Sequence, residues 1–274
     1  MKLLFCGDIV GRAGRDIVIE KLPGLKKDLK IDMAVINAEN SAGGYGVTTQ
    51  IANDLFEAGA DVITTGNHVW KQKELFSHIT SEPRILRPDN YSNPSLPGRG
   101  IIEHTLRDGR KFIVLHMLAR VFMPDHVECP FQKAIRYTKS YPLASSQIAG
   151  IMLDFHGEAT SEKMAMGQML DGDVSFVVGT HTHIPTADHQ ILSKGTAYQT
   201  DAGMCGDYDS VIGMEKTVPV SKFCGLPPTN RMAPALGPAT MCGTIVTIDD
   251  RTGLATAVHP LRVGGRLQET IPSV

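Results

Sequence analysis

The sequence predicts an α/β fold with mixed sheets, and three observations carry that expectation. Three short apolar runs, Lys2 to Cys6, Met33 to Ile36 and Asp61 to Thr64, fall within the first hundred residues, and each gives way to a loop and a helical pattern. Strand, loop and helix repeated in this way imply parallel strands joined by right-handed crossovers. After Pro83 the pattern turns to hairpins, with Gly100 to Leu106 and Lys111 to Leu118 flanking Asp108-Gly109, a strong two-residue turn signal. The sheet is therefore expected to become antiparallel there. Polar residues recur at the carboxyl ends of the apolar runs, where open α/β sheets form their ligand crevice.

Each element follows from its local pattern. Gly14 to Leu29, with apolar residues at Ile17, Val18, Leu22 and Leu25, reads as a helix after the first strand. A Gly-rich loop from Ser41 to Gly46 precedes a helix capped by Thr48-Thr49 and running through Ala58, and a further helix is expected from Lys71 to Ile79. Ala119 to Pro130 has no clear period and reads as a loop over the site. Gly150 to Phe155 and Val174 to Val178 read as buried strands separated by a Met-rich helix, whose Met164, Met166 and Met169 suit core packing. Gln190 to Leu192 and Thr196 to Gln199 form a hairpin around Ser193-Lys194-Gly195. Thr217 to Gly243, rich in Pro, Gly and Met, reads as an irregular excursion before a last hairpin, Gly243 to Ile248 and Leu254 to Leu261. No linker or repeat divides the 274 residues, so 1–274 is expected to be one domain.

Composition narrows the class. With 27 basic and 29 acidic residues the formal net charge is −2, which gives no bulk reason to expect an anionic partner and leaves RNA contact open. The N-terminus lacks the pattern of a signal peptide and no apolar run approaches a membrane span, so a cytoplasmic protein without membrane contact is expected. The five cysteines, Cys6, Cys129, Cys205, Cys224 and Cys242, lack metal or disulfide spacing and read as small buried or partly buried thiols.

The stretch VVGTHTHIP places His181 and His183 just past a buried strand. In an extended segment residues i and i+2 point to one side, so both rings would converge, and paired neutral imidazoles in a cleft suit a transition metal. Asp8 after LLFCG, Glu39 and Asn40 after AVINA, Asn67 and His68 after VITTG, and His156 after IMLDF also end apolar runs. These donors exceed the needs of one ion and fit two that share a carboxylate.

In order and spacing, GDIVG, NAEN, TTGNHVW, DFHGE and GTHTH resemble the metal-site signature of calcineurin-like metallophosphoesterases. The spelling GDIVG, NAENSAGGYG and GNHVW is similar to that of the YmdB family of bacterial phosphodiesterases. The resemblance implies a four-layer α/β/β/α sandwich with mixed sheets, two metal ions, iron with manganese as the alternative, and phosphodiester hydrolysis, with 2′,3′-cyclic nucleotides as the substrate class. Where the superfamily places a histidine two residues after the first aspartate, this chain has Val10, and the resemblance implies that Asn40 takes that role. One ion would then lie on Asp8, Glu39, Asn40 and His183, and the other on Glu39, Asn67, His156 and His181, with Glu39 bridging. A hydroxide generated on the metals would be the nucleophile, and His68 the proton donor to the leaving oxygen.

Two loops suit substrate. Gly11 to Arg15 offers backbone N–H groups at a helix start for phosphate, with Arg12 and Arg15 either adding charge or capping the helix in solvent. In SAGGYG, Tyr45 is placed to stack on a base. A phosphomonoesterase or nucleotidase with the same metals is the competing enzymatic reading, and a regulatory, RNA-linked protein with a non-catalytic metal site is the competing non-enzymatic one. A homo-oligomer is the expected assembly.

Overall fold

The first apolar run forms β1 (Lys2–Cys6), in which Leu3, Phe5, Leu4 and Cys6 are all buried. A strand sends alternate side chains to opposite faces, so a run that is apolar at every position needs cover on both. That requirement organises the whole chain. The structure is a computed structural model, described over residues 1–123, 126–143, 147–227 and 230–272.

After β1, the two-residue β2 (Asp8–Ile9) leads into α1 (Gly11–Asp28), followed by β3 (Met33–Asn37), α2 (Thr49–Glu57) and β4 (Val62–Thr64). A 3-10 turn (Val69–Lys71), α3 (Leu75–Ser81) and β5 (Ile85–Leu86) come next, then β6 (Ile101–Thr105), β7 (Lys111–Leu118), α4 (Pro130–Ser140) and β8 (Ile148–His156). The remainder is α5 (Thr160–Met169), β9 (Phe176–Thr180), β10 (Gln190–Ile191), β11 (Ala197–Gln199), β12 (Met204–Asp207), α6 (Thr217–Phe223), β13 (Ala239–Ile248) and β14 (Ala255–Val263).

One sheet runs β2-β12-β13-β1-β3-β4-β5 with β14 added to β13, and the other runs β10-β11-β9-β8-β7-β6. In the first, β1, β3, β4 and β5 are parallel and β13 is antiparallel to β1. In the second, β7, β8, β9 and β11 are parallel, and antiparallel β6 and β10 form the edges. The inner faces meet where Leu3, Phe5, Met33 and Val35 pack with Phe112, Val114, Met152 and Phe176. Leu4, Cys6, Ala34 and Ile36 face outward under α1, α2 and α3, against Val18, Leu22, Ile51, Leu55 and Ile79. On the far side Ile113, Leu115, Ile151 and Leu153 lie under Ala134 of α4 and Met166 of α5. The layers are α/β/β/α, and both sheets are mixed.

Several local expectations change. The helix expected from Gly14 starts at Gly11, with Val10 as its uncapped N-terminus, so the proposed phosphate loop is the first helical turn. The Asp108-Gly109 hairpin does not turn the first sheet antiparallel but forms the edge of the second. The single helix expected over 71–79 is a 3-10 turn and a separate α3. Helix α4 has no counterpart among the expected elements, although Pro130 at its first turn and Phe131, Ala134 and Tyr137 on one stripe fit the helical period. The irregular excursion contains α6, and Cys224, expected to be at least partly buried, is exposed at its end. Met164 is exposed, whereas Met166 and Met169 pack in the core. No described helix is long and apolar enough to cross a membrane.

Candidate metal centre

Carboxyl ends of β3, β4, β8 and β9 deliver their polar residues to one cleft. Glu39, two residues beyond β3, is fully buried, and its N–H donates to Asn37 Oδ1 (3.0 Å). Its Oε1 lies 3.2 Å from His156 Nε2 at the end of β8. His156 Nε2 is also 3.2 Å from His181 Nδ1 and 3.1 Å from Asn67 Oδ1. Glu39, His156 and His181 thus bring one donor atom each within 4.8 Å of one another.

The proton inventory around His156 says what that convergence suits. The Thr180 hydroxyl donates to Asp154 Oδ1 (2.7 Å), so it accepts from His156 Nδ1–H (2.9 Å). In the neutral ring Nε2 then carries a lone pair, aimed at a carboxylate oxygen, an amide oxygen and a second imidazole nitrogen. Four acceptors without a donor are a cation site. Without an ion, a proton takes the place: burial pushes His156 down, but Glu39, Asp8 and Asp154 outweigh it and raise its pKa to about 9. Burial and then the neighbouring His156 push His181 down to about 3. Glu39 stays well below the usual carboxylate range despite burial, because His156 and His68 face it.

Two further observations fit a metal. A Cβ on Gly66 would lie 1.9 Å from Glu39 Oε2 and 2.5 Å from His156 Nε2, so glycine there leaves the room that an ion needs. Asp8 Oδ1 is buried with no hydrogen-bond donor among the described residues, while Oδ2 accepts from His181 N–H (3.1 Å). Burial raises Asp8 to about 6, against the pull of His183 and His156.

Asn40, His183 and His68 form the adjoining group. Asn40 Nδ2 lies 3.0 Å from His183 Nε2 and 3.3 Å from Glu39 Oε1. Ligation through the amide oxygen takes the reversed orientation of this group, a choice that hydrogen-bond networks and not electron counts decide. His183 Nδ1 donates to Ile212 O (2.7 Å), which commits Nε2 to the cleft. His68 Nδ1 lies 2.8 Å from Asn40 Oδ1 and 3.3 Å from Glu39 Oε1, and Tyr45 meets its ring edge-on at 5.0 Å. Together with Glu158 and an apolar wall these residues line a cleft of about 330 Å³.

His181 and His183 do not converge by extended geometry. Their φ values are 96° and 68°, left-handed conformations that non-glycine residues adopt at a cost. Thr182 between them is pinned by Asp201 Oδ2, which accepts from its N–H (3.0 Å) and its hydroxyl (2.6 Å) and from Lys163 Nζ (2.9 Å). Lys163 and Asp201 are both buried.

Of the residues singled out in the sequence, Asp8, Glu39, Asn40, Asn67, His68, His156, His181 and His183 are gathered here, and Tyr45 lies beside them. Arg12 is exposed on the first turn of α1 and does not line the cleft, while Arg15 donates to Ser41 O (2.5 Å) and holds the glycine-rich loop. The described residues of 119–130 do not line the cleft either; Arg120 and Val121 N–H groups bond Glu162 instead. His116 is buried beneath the site, its Nδ1 3.2 Å from Asp154 O, and burial lowers its pKa.

Sequence reasoning missed the supporting carboxylates. Asp154 also takes Asn37 Nδ2 (3.0 Å) and the Thr64 hydroxyl (2.5 Å), and Glu158 lies 3.3 Å from His181 Nε2, which leaves Nδ1 for the ion. Asp154 was findable: it is the one charge in IAGIMLDFH and shares a strand face with His156. Lys163 and Asp201, 38 residues apart, leave no local signal.

The sequence model of the family described as YmdB-like protein matches residues 4–261. A 2′,3′-cyclic-nucleotide 2′-phosphodiesterase of Bacillus subtilis (strain 168) is 42% identical over 263 residues, covering 96% of this chain and 97% of the relative. Among solved structures, a novel phosphatase from Mycoplasma pneumoniae superposes with a TM-score of 0.88 at 31% identity, covering 96% of this chain and 93% of that one. A hypothetical protein from Thermus thermophilus gives 0.87 at 34%, covering 97% and 100%. Whole-length similarity at these levels, joined to the gathered donor set, makes this chain a member of the YmdB-like family.

Proposed function

We propose that the chain is a metal-dependent phosphodiesterase that opens 2′,3′-cyclic nucleotides. The meeting of Glu39, His156 and His181 donor atoms in one buried group beside His68 carries the reading. The substrate class comes from the Bacillus subtilis relative. Asp8, Glu39, Asn40 and His183 would hold one ion and Glu39, Asn67, His156 and His181 the other, with Glu39 shared. The family resemblance favours iron, and the mixed nitrogen and oxygen donors also admit manganese. When bound, such ions lower the pKa of a water and polarise a phosphoryl oxygen.

The side chains supply position and a proton. In the orientation that lets Asn40 ligate, its Nδ2 donates to His68 Nδ1, so Nε2 is the nitrogen that carries the ring proton toward the departing ester oxygen. Glu158 and Thr180 fix which nitrogens of His181 and His156 face the ions. The test is metal analysis of protein purified without chelators, paired with hydrolysis of 2′,3′-cyclic AMP, bis(p-nitrophenyl) phosphate and p-nitrophenyl phosphate before and after metal removal. The expected result is close to two ions per chain and diester turnover that disappears with the metal and returns with it. Faster turnover of the monoester would make the protein a phosphomonoesterase, and metal without turnover of any ester would make the site structural.

A further inference from the structure

Beside the metal residues the same cleft has a wall that the chemistry above leaves unused: Val10, Gly44, Tyr45, Ile212, Met214 and Met232. None is charged, and the Tyr45 hydroxyl is turned to Met232 Sδ (3.6 Å). Tyr45, Ile212 and Met232 are 38%, 51% and 38% exposed. Apolar side chains clustered at the mouth of a polar cleft mark a surface that a ligand covers.

The wall is held in place from several sides. Gln72 Nε2 donates to Tyr45 O (2.7 Å), and the bond from His183 Nδ1 to Ile212 O ties the wall to a proposed ligand of the metal. Gly44, at φ 93°, has no side chain to displace Met214, whose Cε would lie 3.1 Å from a Cβ there. An aromatic ring and two thioethers are surfaces for a π face.

We propose that this wall is a nucleobase subsite that recognises a flat ring and does not discriminate one base from another. The inference rests on the phosphodiesterase reading, which sets the phosphate at the histidine end of the cleft and the rest of the nucleotide along the wall. Among the side chains of the wall only Tyr45 carries a hydrogen-bonding group, and its hydroxyl proton is turned to Met232 Sδ, whereas sequence readout needs donors and acceptors set against the edge of a base. A cleft of about 330 Å³ sits at the small end of ligand pockets and suits one nucleotide.

The test is calorimetric binding to the metal-loaded wild type, Tyr45→Ala and Met232→Ala, with adenosine 3′-monophosphate, uridine 3′-monophosphate, glycerol 2-phosphate and octyl phosphate as probes. Both nucleotides are expected to bind the wild type roughly 5- to 150-fold more tightly than glycerol 2-phosphate. They should lie within about tenfold of each other, as a stacking site with no edge contacts requires. Tyr45→Ala should collapse the ratio of nucleotide to glycerol phosphate affinity toward one, and Met232→Ala should reduce it. Equal binding of nucleotides and glycerol 2-phosphate by the wild type would overturn the proposal. So would a preference of more than about 100-fold for one base, the mark of hydrogen-bonded selection, or octyl phosphate outcompeting both nucleotides. Because binding is read, failure to hydrolyse cyclic nucleotides would sink the activity reading and leave this result interpretable.

Discussion

Asn67 and His68 are adjacent yet turned to different tasks, Asn67 Oδ1 toward His156 and His68 Nδ1 toward Asn40. If His68 donates a proton and binds no ion, His68→Ala should keep the metals and lose about 10²- to 10⁴-fold in rate on a 2′,3′-cyclic nucleotide. The loss should be far smaller on bis(p-nitrophenyl) phosphate, whose leaving group departs as an anion; equal losses on both would remove the proton-donor role. Glu39→Ala should release or loosen both ions and Asp8→Ala chiefly one, which metal stoichiometry checks directly. Retention of two tightly held ions by Glu39→Ala would disprove the bridge. The buried thiols make a different expectation: burial lifts Cys6 and Cys242 to about 12 and Cys205 well above its ordinary value. Only thiolates alkylate readily, so iodoacetamide should label exposed Cys224 first and those three only after unfolding, as peptide mapping would report.

Between β9 and β10 the loop carrying two histidines depends on Thr182 and its carboxylate anchor. Thr182→Ala removes one hydroxyl bond to Asp201, worth about 1.5–3 kcal/mol as a bond to a charged group, while the Lys163–Asp201 pair stays whole. Metal affinity should fall and Thr182→Ser should restore it, measured by metal titration; equal affinity in Thr182→Ala would show that the anchor does not position the histidines. Asp201→Asn is the harsher change, because it strands a buried lysine at a cost of about 3–5 kcal/mol. Elements with strong periodicity were legible in the sequence: β1, β3, β7 and β8 lie where their apolar runs put them. The two-residue strands β2 and β5 and the short β12 were not, since their existence depends on partners distant in the chain. The gathering of the proposed donors was legible because each lies at, or within three residues of, the carboxyl end of a strand. The left-handed turn at His181 and His183 was not, because its cause is Asp201, eighteen residues beyond His183.

Across the whole molecule, the proposed metal ligands join two sheets: Glu39 and Asn67 follow strands of one, His156 and His181 strands of the other. Ions bound there would clamp the layers together. At free metal about 100-fold above Kd the linkage amounts to about 2.7 kcal/mol per site, so chelation of both proposed ions should lower Tm by roughly 10–20 °C in a chain of this size. Coincident melting curves with and without chelator would mean that the site does not hold metal under those conditions. The backbone at His181 has an opposite effect on endurance. An L-residue at φ 96° carries about 1–2 kcal/mol of strain that glycine escapes. In metal-free protein His181→Gly is therefore expected to melt no lower than wild type, by differential scanning calorimetry. Any screen that rewards heat resistance alone, run on protein stripped of its ions, would tend to discard this histidine, so a thermostable variant of this chain must be selected with metal present and turnover scored.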